Sequence, residues 1–531
     1  MQLWRLSSYA AAFLLLLSMA ACGNSGSSSS PPPPPPPDSA DALLSGAYVF
    51  GISGCSPSGV SVFGGQFTAD GQGNITAGSL TSNSLKALLG ATSGAPLTGT
   101  YKMTSDGRGQ ASLITSSATI ALSFVLVSKT HGYVVESDNN GCGSGTLDLQ
   151  TAVSQSNLAG SYVVSLVGEY DENADSLVTA GAFTLDASGN ITAGVQDAVG
   201  SPPFTLSTWV AQPLSGSLLV GSGNSPGKAG FQTTFLGTSP LPFDVYPIDA
   251  THLKLIGTDL VFIGDAYSQG TALPSGSQVF TVAGGDATSS NMNIGGLMTF
   301  DGNGNVTAGL EDLNDSGSIY LSIPFSGSYS SLDNNGRATM TLTGFSPHLQ
   351  SIGSNTTTQF VLYPSTGGLV ILEIDGIADL MGPAFVQTNP SLPTSQPFGI
   401  FLLGWNAGNF SSNTAQFTTG SSGTSFSGMM DSNSFETTGG IWTQTSGQTF
   451  TGTYSFDSAT GRGALSSNLT SDLEFYLIDD TSALFIGTSG DQQAEGSFTT
   501  QTLSGTKSMV TPPRFSFARV PASRNAIPHR K

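Results

Sequence analysis

Two acidic pairs are the first places in this chain where residue type and spacing could do chemistry: Glu136-Ser-Asp138 and Glu373-Ile-Asp375. Residues two apart on a strand share a face, so each pair can present two carboxylates to a cation or to sugar hydroxyls. Aligned positions elsewhere read Gly257-Thr-Asp259 and Gly487-Thr-Ser489, so the pairing is not general. Glycosidase chemistry needs two carboxyl groups facing each other, roughly 5 to 9 Å apart across a cleft. Neighbours on one strand do not supply that cleft, and solvated strand ends are the plainer reading.

Other motifs point to turns more than to reactions. In Asp301-Gly-Asn303-Gly-Asn305 the oxygens alternate as in an EF-hand loop, with Asp312 at the twelfth place. The sixth residue is Val306 where such a loop needs Gly, and the final bidentate Glu is missing. Asp-Gly and Gly-Asn are strong hairpin formers, so turns are the reading, with a surface calcium site as the alternative. Asp171-Glu-Asn173-Ala-Asp175 is a better oxygen cluster but reads as a solvated loop. Gly223-Asn-Ser225-Pro-Gly227 has the letters of a hydrolase nucleophile elbow without the helix that must follow. His131, His252, His348 and His529 show no metal spacing. No catalytic residue, metal site or cofactor is assigned.

Cysteine usage gives the address. Residues 1–21 carry Arg5, an apolar run over 10–17 and then small residues, the pattern of a secretion signal. The junction Met19-Ala20-Ala21-Cys22-Gly23 resembles the lipobox of bacterial lipoproteins, with Met19 where Leu is usual. That resemblance implies lipidation of Cys22, and Gly23 in place of Asp implies the outer membrane over the inner. Residues 22–43 then form a Gly/Ser/Pro linker whose prolines 31–37 add roughly 20 Å of polyproline reach. Cys55 and Cys142 remain, and export to an oxidising compartment favours their pairing.

The elements that must position these residues come from self-similarity. Leu44-Ser-Gly-Ala-Tyr48 returns at Leu158-Ala-Gly-Ser-Tyr162, and more loosely at 276–280 and 396–401. Asp70-Gly-Gln-Gly-Asn-Ile-Thr-Ala-Gly78 returns at Asp186 and Asp301. Equivalent positions lie 111 to 125 residues apart, long enough for each unit to own a core. The chain therefore divides into β repeats at 44–152, 153–273, 274–392 and 393–505, followed by a basic disordered tail at 506–531. Period-2 alternation, as in Ile120, Leu122, Phe124 and Leu126, marks strands, and helical periodicity is absent. In repeat 1 eight runs are expected, at 46–54, 60–69, 74–82, 97–104, 109–116, 119–128, 131–137 and 144–150. The fold class is all-β: four tandem antiparallel domains, each an eight-stranded meander closing into a small barrel, with a β-sandwich as runner-up. Closure would bring Cys55, ending the first strand, beside Cys142, just before the last.

Composition limits the function. Only 9% of the 531 residues are charged and the net charge is −20. With six basic residues in the tail and Arg5 in the leader, the body between them carries eight basic residues and all 35 acids. So acidic a body disfavours nucleic acid, which needs clustered cations. As a whole the chain resembles uncharacterised, repeat-built, Gly/Ser-rich bacterial surface lipoproteins, a resemblance that implies no reaction. The expectation is a lipid-anchored cell-envelope protein in a binding, adhesion or structural role, facing polysaccharide, matrix or another surface protein. A secreted polysaccharide hydrolase and a lipocalin-like carrier of a small apolar ligand are the alternatives.

Overall fold

The structure, a computed structural model, describes residues 40–503 except 57–58, 85–90, 170–175, 201–205, 238, 287–290, 347–355, 407–408, 437–438, 471 and 491. The leader, Cys22, the proline spacer, the oxygen cluster at 171–175, His348 and the basic tail lie outside the described residues. The described residues form one compact unit.

Barrel 1 is built from β1 (Ser45–Ser56), β2 (Gly59–Asp70), β3 (Asn74–Ser84), β4 (Thr92–Pro96), β5 (Thr98–Met103), β6 (Arg108–Ile114), β7 (Thr119–Ser128), β8 (His131–Glu136) and β9 (Cys142–Leu149). Except for β4 with β5, consecutive strands pair antiparallel, and β1 also pairs with β9, which closes the sheet. Both β4 and β5 pair with β3 and are the two halves of one stave, broken at Leu97. Eight staves result, as expected. The half-stave at Thr92–Pro96 was not expected, because Thr-Ser-Gly-Ala-Pro has turn residues and no apolar alternation. The other three barrels close in the same way, through Tyr162↔Ser268, Gln278↔Val386 and Phe398↔Thr500. One continuous curled sheet per repeat replaces the two facing sheets of a sandwich.

The alternation of β7 shows how both sides of a stave are used. Ile120, Leu122, Phe124 and Leu126 enter the interior of barrel 1, while Val125 and Val127 face out and pack with Phe401 of barrel 4. Aromatic rings fill the interiors: Phe280, Phe325, Phe345 and Phe360 meet in barrel 3, and Phe398, Phe417, Phe426 and Phe450 in barrel 4.

The repeated Asp-x-x-Gly-Asn segments are hairpin turns. Asp301 accepts the backbone N–H groups of Asn303 (2.7 Å) and Asn305 (2.9 Å), and its second oxygen accepts the Asn305 side chain (2.7 Å). Asp70 and Asp186 do the same. Gly73, Gly189 and Gly304 occupy the left-handed region at φ 96°, 87° and 98°, which explains the glycine before each Asn. Hydrogen bonds from Asn190 and Asn305 hold Asp186 and Asp301 below the usual carboxylate range.

The barrels also close on one another. β1 and β2 of barrel 1 pack on the late strands Leu241–Asp249, His252–Gly257 and Val261–Ser268 of barrel 2. Gly160–Glu169 and Ser176–Leu185 of barrel 2 pack on Thr357–Ser365 and Gly368–Glu373 of barrel 3. Gly276–Gly285 and Asn291–Phe300 of barrel 3 pack on Leu473–Leu477 and Ser482–Gly487 of barrel 4. Pro397–Asn406 and Asn409–Thr419 of barrel 4 then pack on β7, β8 and β9 of barrel 1. Four head-to-tail contacts of one kind thus form a closed ring within a single chain.

Candidate functional site at the joints between barrels

Aligning the repeats on Gly78, Gly194, Gly309 and Gly428 exposes what each joint is made from. The third residue onward is Thr81, Asp197, Asp312 or Asp431, and strand alternation turns it outward to the next barrel. Opposite it the fourth stave bulges: the register skips between Leu80/Ser82, Gln196/Ala198, Glu311/Leu313 and Met430/Ser432. The bulge residue is Gly94, Ala211, Ser322 or Gly447, at φ 62°, 50°, 58° and 63°. Its N–H donates to the outward side chain, at 3.1 Å to Thr81, 2.8 Å to Asp197, 2.7 Å to Asp312 and 2.8 Å to Asp431. Left-handed backbone is unfavourable for Ala and Ser, and its recurrence at one position marks it as built for this contact.

The next barrel supplies the counter-charge. Arg337 of barrel 3 grips Asp197 of barrel 2 with Nε at 2.7 Å and Nη2 at 2.8 Å, and the Tyr363 hydroxyl donates to the same carboxylate at 2.5 Å. Arg462 and Tyr476 of barrel 4 treat Asp312 of barrel 3 identically, at 2.7, 2.9 and 2.5 Å. Both aspartates are fully buried. Burial, reinforced by the adjoining carboxylate, pushes the Tyr363 and Tyr476 phenols well up, so both remain donors.

The other two joints vary the theme. In the first, Thr81 of barrel 1 lacks a charge and its hydroxyl meets Asp244 (2.5 Å) and Tyr246 (2.7 Å) of barrel 2, while Lys228 pairs with Asp244. In the last, Arg108 of barrel 1 reaches Asp431 of barrel 4 through Nη1 alone, at 3.2 and 3.3 Å. Each cation follows a glycine: Gly107-Arg108, Gly227-Lys228, Gly336-Arg337 and Gly461-Arg462. Sequence reading missed these dipeptides, although they hold four of the eight basic residues in the body.

A second contact lies two residues beyond the first, and it uses the very turns that held the sequence candidates. Asn433 of barrel 4 donates to the carbonyls of Glu136 (2.9 Å), Asp138 (3.1 Å) and Gly141 (2.8 Å) in barrel 1. Asn83 donates to Gly257 (3.2 Å) and Leu260 (2.9 Å), and Asn314 to Gly487 (2.9 Å). Val199 occupies the equivalent place in repeat 2.

The acidic pairs themselves part company. The strands end at Glu136 and Glu373, so the Asp two residues on is not held to the same face. Glu136 and Glu373 are buried, at 2% and 0% exposure, which corrects the solvated reading. Burial, with the charges of Asp138 and Asp375 added, raises them well above the ordinary carboxylate range. Glu373 accepts the Ala378 N–H at 3.0 Å and its other oxygen has no partner. Asp138 accepts N–H groups of Ala121 (2.8 Å) and Asn140 (2.7 Å), and Asp375 those of Gln359 and Ile377 (3.1 Å each). These aspartates tie off backbone at strand ends. Glu311 is a further buried acid, raised by burial and bonded to the Ser346 N–H.

The remaining candidates find other places. Asp312, the twelfth position of the calcium-like segment, belongs to a joint and points at Arg462. Ser225 lies in a turn, its N–H bonded to Ser222. His131 pairs with Asp148 at 2.6 Å and His252 with Asp265 at 2.7 Å, carboxylate partners that sequence spacing did not reveal. Burial opposes ionisation of Asp148, but His131, His252 and Lys254 outweigh it and hold it at about 2. Lys254 is itself buried at the first joint, paired with Asp265 at 2.7 Å over Gly51, where a Cβ would come within 2.8 Å of its stem. Cys55 and Cys142 stand directly opposite each other on β1 and β9. Among the described residues no group of three or more His, Cys, Asp or Glu is arranged to hold a metal ion. No protein-family model matches the chain, and no curated protein matches it.

Two measurements check this account. Arg337→Met should cost about 3 kcal/mol by leaving Asp197 buried and unpaired, and adding Asp197→Leu should recover most of it; urea midpoints of the single and double variants decide. The buried glutamates set a pH dependence. A carboxyl whose folded pKa lies above its unfolded value stabilises fully at low pH, and that contribution is lost as pH rises from about 4.3 through the folded value. Glu373→Gln keeps an acceptor for Ala378, so its melting temperature should match the parent at pH 4 and exceed it at pH 8. A parallel pair of curves would contradict this.

Proposed function

We propose that this chain is a lipid-anchored cell-envelope protein with a non-enzymatic role, presenting a rigid ring of β-barrels for binding, adhesion or structure at the cell surface. The observation that carries the reading is the closed ring, in which most of the charged side chains of known geometry serve joints and turns. Aromatic rings occupy the barrel interiors in which a carrier would need to seat its ligand. The Glu136 and Glu373 turns, the best places for a carboxylate cleft, are engaged in backbone capping and barrel contacts.

The anchor rests on Met19-Ala20-Ala21-Cys22 and the spacer after it, with Gly23 favouring the outer membrane. The membrane is then the first partner, and polysaccharide, matrix or another surface protein the second. A Cys55–Cys142 disulfide belongs to the same reading. Directly opposed residues in an antiparallel pair have Cα atoms about 4.5 to 5.5 Å apart, inside the range a disulfide spans. Such a bond would staple the barrel 1 seam.

Intact mass spectrometry of the chain isolated from its membrane tests both. The expected mass starts at Cys22, carries acyl groups, and gains about two units on reduction. Cys22→Ala should abolish the acyl mass and release the chain from the membrane. An unmodified Cys22 on a membrane-free chain would overturn the anchor.

A further inference from the structure

The four joints are one contact repeated, yet only three of them join barrels that follow one another in the chain. The contact from barrel 4 back to barrel 1 has no linker across it and is held by side chains and edges alone. Tyr133 meets Thr499 at 3.0 Å and its ring lies tilted against Phe401 with centroids 5.1 Å apart, and Gln501 donates to the carbonyls of Asp106 and Leu126 at 2.7 Å each. Asn433 enters the turn after β8. Gly399 lets Val127 approach to where a Cβ would lie 2.6 Å away. Its ion pair is looser than those of Asp197 and Asp312, because Nε of Arg108 is spent on Asp106 of its own barrel, at 3.0 Å. Val125 stands where the other joints have Tyr246, Tyr363 and Tyr476.

We infer that this closing joint is exchangeable: barrel 4 of one copy closes onto barrel 1 of a second copy of the same chain, so that rings are completed between copies. A head-to-tail contact does not distinguish its own chain from another, since the same two faces meet in either case. Every hydrogen bond named above is kept when barrel 4 swaps whole: it leaves barrels 1 and 3 of its own chain for the same two faces of the second copy, with the segment between Val386 and Pro397 as the hinge, and the ring geometry is unchanged. Which form dominates is set by effective concentration, roughly millimolar for a short tether, against the density of neighbouring copies. The inference uses the surface-anchored reading only for that density; the joint itself is a property of the ring and is testable in solution whether or not the chain is lipidated.

Charge reversal reads it out. Arg108→Asp sets two carboxylates against each other in the closing joint, and Asp431→Arg sets two guanidinium groups there. Each full-length variant alone loses its closing ion pair. Coexpressed, the two match across copies: the reversed face of each variant meets the reversed face of the other, and the unreversed faces also pair. Native mass spectrometry should then show the mixed two-chain species at least tenfold above that of either variant alone. The cis double variant should return to the monomer. A mixture that stays monomeric while both variants keep the parent circular dichroism overturns the inference, as does a cis double variant that dimerises as readily as the mixture. Should the variants not fold, unlabelled and ¹⁵N-labelled parent chains, prepared separately, mixed, unfolded and refolded together, should give dimers of mixed mass. Their absence at every concentration up to the millimolar range also overturns it.

Discussion

A carboxylate removed from water between two barrels is tolerable only if a cation and enough donors reach it. That requirement shapes each joint. At Asp197 the guanidinium of Arg337, the Tyr363 hydroxyl and the Ala211 N–H together occupy the carboxylate. The bulge in the fourth stave exists to aim that N–H, and the glycine before the arginine opens the turn from which the guanidinium reaches across. Remove the cation and the penalty is several kcal/mol; replace both partners by apolar groups and the joint can survive. The pairs therefore select which faces meet as much as they stabilise the meeting.

The first joint shows the constraint from another side. With Thr81 at the acidic position, the carboxylate is Asp244 on the neighbouring barrel, beside Lys228, which keeps the place of the other cations. One negative charge, one positive charge and a tyrosine are retained, and only the negative charge changes barrel. The low charge content of the chain takes on meaning here. Arg108, Lys228, Lys254, Arg337 and Arg462 all serve joints, five of the eight basic residues in an acidic body.

Much of the fold was legible because it rests on local signals. The β7 alternation, the Asp-x-x-Gly-Asn turns and the period of the repeats led to four closed barrels, and strand order placed Cys55 beside Cys142. Thr92–Pro96 escaped because a half-stave of small residues looks like a loop. The joints escaped for a different reason. Asp197 and Arg337 lie 140 residues apart, and neither carries a mark of its partner. Only a column-by-column alignment of the repeats, with the outward residues read beside the inward ones, would have exposed Thr81, Asp197, Asp312 and Asp431 as one position. Glu136 and Glu373 were noticed as acids, whereas the contact at the Glu136 turn is made by backbone carbonyls, which sequence does not distinguish.

Small-angle X-ray scattering of the full-length chain tests the ring most directly. Four barrels locked head to tail should give a radius of gyration of roughly 25 Å, near that of a compact chain of this size. Barrels strung on linkers with the closing joint unmade would exceed roughly 35 Å, given about 13 Å for each barrel alone. A value near the first supports closure of barrel 4 onto barrel 1; a value near the second contradicts it.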